Sequence, residues 1–272
     1  MRVIAIIQAR MGSTRLPGKV LSPVLDRPML WHIVQRVSAV RGIAGVVVAT
    51  SDCSSDDAVF EFCDQHNIDM YSGSLNDVLD RFYRAARLRR AEVVLRVTGD
   101  CPLFDPEIVS EMLREFLADG TLDHIGVATG AGVAQGATGG RYPDGMDAEL
   151  TTIEALESAW CEAREPLERE HVTPFIWRRP ERFRVATHYS PVDYSQLRWT
   201  VDNQEDLDTI RAIYEALYDP NRHFLMQHVL DFLATRPEIS QRNQHFIGSE
   251  GYPQFWEGHS APCVPSPKLH VA

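Results

Sequence analysis

The sequence has no apolar run long enough to span a bilayer: its most hydrophobic opening stretch, VIAIIQA, is short and meets charge immediately. It also lacks anything that reads as a secretion signal, so the expected location is the cytoplasm, with no membrane partner. Cysteine is sparse and odd in number. Cys53, Cys63, Cys101, Cys161 and Cys263 form no C-x-x-C pair and have no zinc-like spacing to histidine, which argues for reduced thiols and against a disulfide framework. Cations are outnumbered, 27 against 38 acidic residues, and the net charge of −11 argues against nucleic acid as a partner, because that binding needs a broad basic surface. Two phosphate-binding signatures are missing as well. There is no G-x-G-x-x-G, and the nearest approach to a P-loop puts five residues between Gly12 and Gly18 and Val20 after Lys19, where a P-loop needs four residues and a Ser or Thr.

Against that background one segment stands out. In IIQARMGSTRLPGKVL, residues 6–21, Arg10, Arg15 and Lys19 sit within ten residues of one another, with Gly12, Pro17 and Gly18 breaking regular structure between them. Small residues let backbone N–H groups point inward, and the cations can neutralise several oxygens of a polyphosphate. A basic surface loop is the alternative. The loop follows a buried-strand pattern, VIAIIQA, and precedes PMLWHIVQRVSAV, which has helical apolar spacing. Loops at the carboxyl ends of parallel strands are where open α/β sheets bind ligands. A cationic pocket on an acidic protein suits a small anion.

At 272 residues the chain can bury a sizeable core. GVVVATS, IDMYSG and AEVVLRVTGD read as strands, alternating with the helices DAVFEFCDQH, NDVLDRFYRAARLRR and PEIVSEMLREFLADG. Ser54 is the expected N-cap of the first of these helices, and Gly120 ends the last. The alternation implies an α/β fold with a mostly parallel, twisted sheet flanked by helices. Beyond residue 121 the pattern changes. HIGVATGAGVAQGATGGRYP, rich in Gly and Ala, reads as a mobile crossing loop or lid. A strand and helix are expected in DGMDAELTTIEALESAW, with Thr151 and Glu154 as a capping box. EREHVTPFIWRRP reads as one helix, RFRVATHYS and LRWTV as strands, and EDLDTIRAIYEALY as an amphipathic helix. A domain is expected over 1–247, with halves at about 1–120 and 121–247. Residues 248–272, proline-containing and aperiodic, read as a poorly ordered tail. Its aromatics Tyr252, Phe255 and Trp256 could dock on a second copy, so a homodimer is left open.

The string QARMGSTRLPGK resembles the signature loop of the acidic-sugar cytidylyltransferases, the family of the acylneuraminate and 3-deoxy-manno-octulosonate enzymes. The branch named for spore coat polysaccharide biosynthesis protein F is similar in four further places: RVTGDCPLFDPEIV, RYPDGMDAEL, REHVTPFIW and LRWTVDNQEDL. The likeness runs in order over residues 1–235. It implies the Rossmann-like architecture of nucleotide-diphospho-sugar transferases. It further implies transfer of CMP from CTP to an acidic sugar, with release of pyrophosphate, for a surface polysaccharide or glycan. One departure is TGDCP, where the octulosonate branch resembles QGDEP, so the acceptor sugar is not named by the sequence. A different nucleotide or acceptor, such as a sugar phosphate or an aminopolyol, and a non-catalytic nucleotide-binding protein of the same fold remain alternatives.

Nucleotidyl transfer needs positioning and neutralisation of developing phosphate charge, which Mg²⁺ supplies when held by one or two carboxylates and the phosphates. Asp100, just past VVLRV, and Asp202, just past RWTV, are suitable, and their matches in the resembled family are magnesium ligands. Asp202 could instead cap the following helix. Arg10, Arg15 and Lys19 are expected on the β- and γ-phosphates, with Gly12 and Ser13 allowing close backbone approach. Arg10, Arg15, Lys19 and Asp100 are thus the candidate catalytic residues. Ala9, Ser51 and Asp52 are candidates for the base pocket. Asp80 and Arg81 resemble the segment that closes over the nucleotide, or form a solvated charge pair. Asp144, Asp147 and Glu149 resemble the sugar-proximal motif, with Gly145 permitting a tight turn between them. Glu170 and His171 would complete that pocket, unless His171 is structural. Cys101 could be a nucleophile, but no neighbouring cation is evident to lower its pKa, and a packing role is the other reading.

Overall fold

The computed structural model describes residues 1–129 and 139–247. The chain opens with β1 (Val3–Gln8), apolar and buried up to its last residue, the pattern of a central strand covered on both faces. After the basic loop come a 3₁₀ turn at Lys19–Leu21, a small hairpin of β2 (Pro23–Val24) and β3 (Arg27–Pro28), and helix α1 (Met29–Ser38). Then β4 (Gly45–Ser51), α2 (Asp57–Gln65), β5 (Met70–Gly73), α3 (Val78–Leu88), β6 (Val93–Thr98) and α4 (Pro106–Asp119) alternate as expected. The second part adds β7 (His124–Val127), β8 (Ala148–Thr152), α5 (Ile153–Glu162), α6 (Pro166–His171), α7 (Pro174–Trp177), β9 (Val185–His188), α8 (Gln204–Leu217), α9 (Met226–Thr235) and α10 (Pro237–Ser240).

The described strands form a seven-stranded sheet in the order β5-β4-β1-β6-β8-β7-β9. β5, β4, β1 and β6 are parallel, β8 runs against both β6 and β7, and β9 is parallel to β7. Successive side chains on a strand face opposite sides, so β1 feeds two cores. Val3, Ala5 and Ile7 pack with α1, α4 and α8; Ile4 and Ile6 pack with α3, α5 and α7. Because β4 lies on one side of β1 and β6 on the other, the loops leaving β1 and β6 diverge, and a crevice opens at their carboxyl ends. Gly99 N donates to Gln8 O at 2.8 Å and fixes its width. Only glycine fits at 99, since a Cβ there would lie 2.7 Å from Gln8 O.

Several elements differ from the pattern reading. LRWTV is extended but joins no strand of the sheet. Its backbone is spent on two loops: Trp199 N donates to Asp144 O at 2.6 Å and Val201 N to Asp100 O at 2.9 Å. EREHVTPFIWRRP breaks into α6 and α7 at Val172, whose φ is 74°, just ahead of Pro174. Residues Ser54–Asp56 make a 3₁₀ turn, so α2 starts at Asp57 with Asp56, not Ser54, at the cap position. The α5 cap is Thr152, which accepts from Ala155 N at 3.3 Å, because Thr151 is buried against His124 Nδ1 at 3.0 Å. No helix among the described residues is long and apolar enough to cross a membrane. The expected tail at 248–272 and the middle of the expected lid lie outside the described residues.

Candidate active site

The loop after β1 is held by its own backbone, by Ser13 and by Asp56. Ser13 N and Gly18 N both donate to Met11 O at 2.9 Å, Leu16 N donates to Ser13 Oγ at 3.3 Å, and Met11 N donates to Asp56 Oδ1 at 2.7 Å. Gly18 has φ 73°, a left-handed conformation that would cost another residue about 1–2 kcal/mol. A side chain at Gly12 would meet nothing of the protein within 4 Å, so what Gly12 keeps clear is the space of the cleft. That cleft, about 310 Å³, is walled by Ala9, Arg10, Gly12, Ser13, Arg15 and Lys19 from the loop. Asp100, Arg81, Asp202, Glu170 and His171 face it from four other elements, and Gln8 from the end of β1.

The 3₁₀ turn brings Lys19 under the loop. Its Nζ donates to Asp100 Oδ2 at 2.9 Å, Asp202 Oδ1 at 2.8 Å and Val201 O at 2.7 Å. Burial works against the Lys19 charge, but the two carboxylates outweigh it and hold its pKa above the ordinary lysine value. For Asp202 burial pushes upward, and Lys19 and Arg15 overcome it, pulling the carboxyl down to about 2. Arg15 Nη2 lies 3.0 Å from Asp202 Oδ1, and Arg10 Nη2 lies 3.9 Å from Glu170 Oε1 across the cleft. His171 is partly buried, and burial, then Arg96 and Arg10, depress its pKa to about 4. It is therefore a neutral donor and acceptor near pH 7.

Beneath the cleft a buried guanidinium organises the acids. Arg198 Nη1 reaches Asp144 Oδ2 at 3.0 Å, Nη2 reaches Asp202 Oδ2 at 3.2 Å, and Nε reaches Asp206 Oδ1 at 3.0 Å. Asp206 is fully buried and accepts from Asp202 N and Asn203 N at 3.0 Å each, forming the capping box of α8 with Asn203. The cap position thus belongs to Asn203, and both oxygens of Asp202 face cations. Asp147 accepts from Thr129 Oγ1 at 2.7 Å and from Gly145 N at 3.0 Å. Gly145 has φ 96°, and a Cβ there would lie 2.3 Å from Thr200 N. Burial raises the pKa of both Asp144 and Asp147. Cys101 is buried against Thr98 Oγ1 at 3.0 Å, and burial, then Asp100, pushes its thiol pKa well up, which suits packing and not nucleophilic attack.

The other expected residues divide by place. Asp144 is joined to the cleft wall through Arg198 and Asp202, whereas Asp147 is held by Thr129 and Gly145. Glu149 is further in, 3.4 Å from Arg96 on the adjacent strand. Ser51 is buried and donates to Asp56, so it braces the loop from behind; Asp52 is exposed and outside the cleft. Asp80 also faces away, accepting from Arg84 and from Trp160 Nε1 at 2.7 Å. Its neighbour Arg81 is not a solvated partner but is 2% exposed and lines the cleft. Sequence reasoning missed Gln8, Arg198, Asp206 and Asp56. A signal existed for Gln8, the polar end of an otherwise apolar strand, and for Asp206, three residues after Asn203 as a capping box requires; Arg198 has none, because its partner Asp144 comes from a distant segment.

Asp100 and Asp202 fit a magnesium site. Both present hard oxygen donors to one position, shared now by the Lys19 ammonium. Among the described residues no group of three or more His, Cys, Asp or Glu side chains could hold a metal. Two carboxylates are what magnesium uses when phosphates and water complete its shell.

Residues 4–233 match the family model described as Cytidylyltransferase. The spore coat polysaccharide biosynthesis protein SpsF of Bacillus subtilis is 34% identical over 219 residues, covering 78% of this chain and 86% of its own. A 3-deoxy-manno-octulosonate cytidylyltransferase of Geobacter metallireducens is 33% identical over 122 residues, covering 45% of this chain and 47% of its own. A solved cytidylyltransferase structure from Leptospira borgpetersenii superposes with a TM-score of 0.80 at 31% identity, covering 89% of this chain and 97% of that one.

Proposed function

Because this chain belongs to the cytidylyltransferase family, we propose that it is an active, Mg²⁺-dependent enzyme that transfers CMP from CTP to an acidic sugar, for a surface polysaccharide or glycan. The observation that carries the reading is the Lys19 bridge between Asp100 and Asp202, set under a basic loop at the crevice between β1 and β6. In the reaction a sugar hydroxyl attacks the α-phosphorus, the bond to the bridging oxygen of the β-phosphate breaks, and pyrophosphate leaves with the electron pair. The hydroxyl proton passes to a nearby carboxylate or to water. Arg10 and Arg15 pair with the β- and γ-phosphates, whose charge rises as the bond breaks, and Lys19 turns from the aspartates toward them. Magnesium, held by Asp100 and Asp202, would neutralise phosphate charge and hold the triphosphate in line. Gly12 and Ser13 admit the triphosphate to the loop backbone. On the acceptor side Glu170 and neutral His171 offer hydrogen bonds to sugar hydroxyls, while Arg198 ties up the Asp144 carboxyl. The working location is the cytoplasm, and a homodimer is allowed.

A pyrophosphate-release screen of the four nucleoside triphosphates against a panel of acidic sugars tests this. Release with CTP and an acidic sugar, dependent on Mg²⁺, is expected. Release only with sugar phosphates or aminopolyols would overturn the acceptor class, and none with any pair would overturn the enzyme reading.

A further inference from the structure

β1 is apolar until its last residue, Gln8, which by strand alternation faces the same side as Ile4 and Ile6, toward α3. In register it lies between Ala49 on β4 and Thr98 on β6. Its Oε1 is buried and has no hydrogen-bond partner among the described residues. From α3 comes Arg81, 2% exposed, its stem 3.2 Å from where a Cβ on Gly73 would lie. Its Nε and Nη1 are buried and equally unpartnered. Gln8, Arg81 and the apolar Val78 all line the cleft. Native proteins seldom leave buried polar atoms unpaired, and three on residues that line one cleft call for a ligand with a matching edge.

Two donors and one acceptor complement a flat ring that presents two acceptors and one donor. Cytosine does so: N3 and O2 accept, and the 4-amino group donates. We infer that Gln8 is a specificity-determining residue that accepts from the cytosine 4-amino group while Arg81 donates to N3 and O2, an assignment that rests on the proposed nucleotide. The Gln8 amide can turn, so Arg81 fixes the choice. Uracil places an N3–H donor against the guanidinium and a carbonyl where cytosine has its amino group.

Calorimetry of CTP, UTP and pyrimidin-2-one riboside triphosphate, which lacks the 4-amino group but keeps N3 and O2, tests the inference without any acceptor sugar. Wild-type protein with Mg²⁺ should bind CTP about tenfold or more tightly than the pyrimidinone analogue, the worth of one hydrogen bond. Gln8→Met should bring the two within about threefold while leaving inorganic tripolyphosphate binding unchanged. A wild-type protein that binds the analogue as well as CTP, which needs no variant to fold, would overturn the role of Gln8. So would a Gln8→Met protein that keeps the full preference, leaving water as the partner of Oε1. UTP binding as tight as CTP would instead overturn the nucleotide assignment itself.

Discussion

The Lys19 ammonium stands between the carboxylates of Asp100 and Asp202, 2.9 Å from one and 2.8 Å from the other, so a lysine holds the position that a divalent cation would need. The two uses of the aspartates exclude one another. Lys19→Met should therefore strengthen Mn²⁺ binding to the nucleotide-free protein, by about tenfold, while lowering turnover on the order of a hundredfold because phosphate charge goes unmet. Electron paramagnetic resonance of Mn²⁺ reads the first effect. Unchanged Mn²⁺ affinity would mean that lysine and metal do not compete.

Asp100→Asn keeps size and removes charge. Turnover is expected to fall on the order of a hundredfold or more, with the fold retained by circular dichroism. Asp202→Asn should match it, and, because Arg15, Lys19 and Arg198 all bear on Asp202, should also lower the melting temperature. Near wild-type rates at saturating Mg²⁺ for either variant would remove it from the metal site.

Asp206 carries structure instead of chemistry. It is fully buried against Arg198, which is 4% exposed, and closes the capping box of α8. Asp206→Ala leaves a buried guanidinium short of a partner and should cost about 3–5 kcal/mol. Urea unfolding measures this; a loss within 1 kcal/mol, roughly the worth of an exposed pair, would show that the pair is not coupled to folding.

The His171 pKa is about 4 in the folded protein, below its ordinary 6.5, so acidification favours the unfolded chain. Above pH 6.5 neither state binds the proton and His171 contributes nothing to the slope. Between 6.5 and 4 the unfolded chain gains a proton that the folded one refuses, and stability falls. His171→Gln should lose less stability over that window, seen as melting temperature against pH. Parallel curves for variant and wild type would place His171 in solvent.

The first part of the fold was legible because each element carries its own signal. VIAIIQ and GVVVATS are long in apolar residues, Asp105–Pro106 starts α4, and Gly120 at φ 64° ends it. The basic loop was legible for the same reason, its cations being close in sequence. What pattern could not supply was pairing between distant segments. LRWTV has strand composition, yet its hydrogen bonds go to the loops of Asp144 and Asp100. Asp80 and Arg81 are neighbours in sequence, but one residue step around the helix sends them to different surroundings, Arg84 and Trp160 for one and the cleft for the other. Glu149, two residues beyond Asp147, is met by Arg96 from β6, which no local pattern foretells.

A site built to transfer a cytidylyl group must select cytosine during turnover. With one accepted acidic sugar and Mg²⁺, kcat/KM should be on the order of a hundredfold higher for CTP than for UTP, since two reversed hydrogen bonds each cost about 1–3 kcal/mol. The product should be the CMP-sugar. Equal kcat/KM for UTP or GTP would rule out a cytidylyl-selective site.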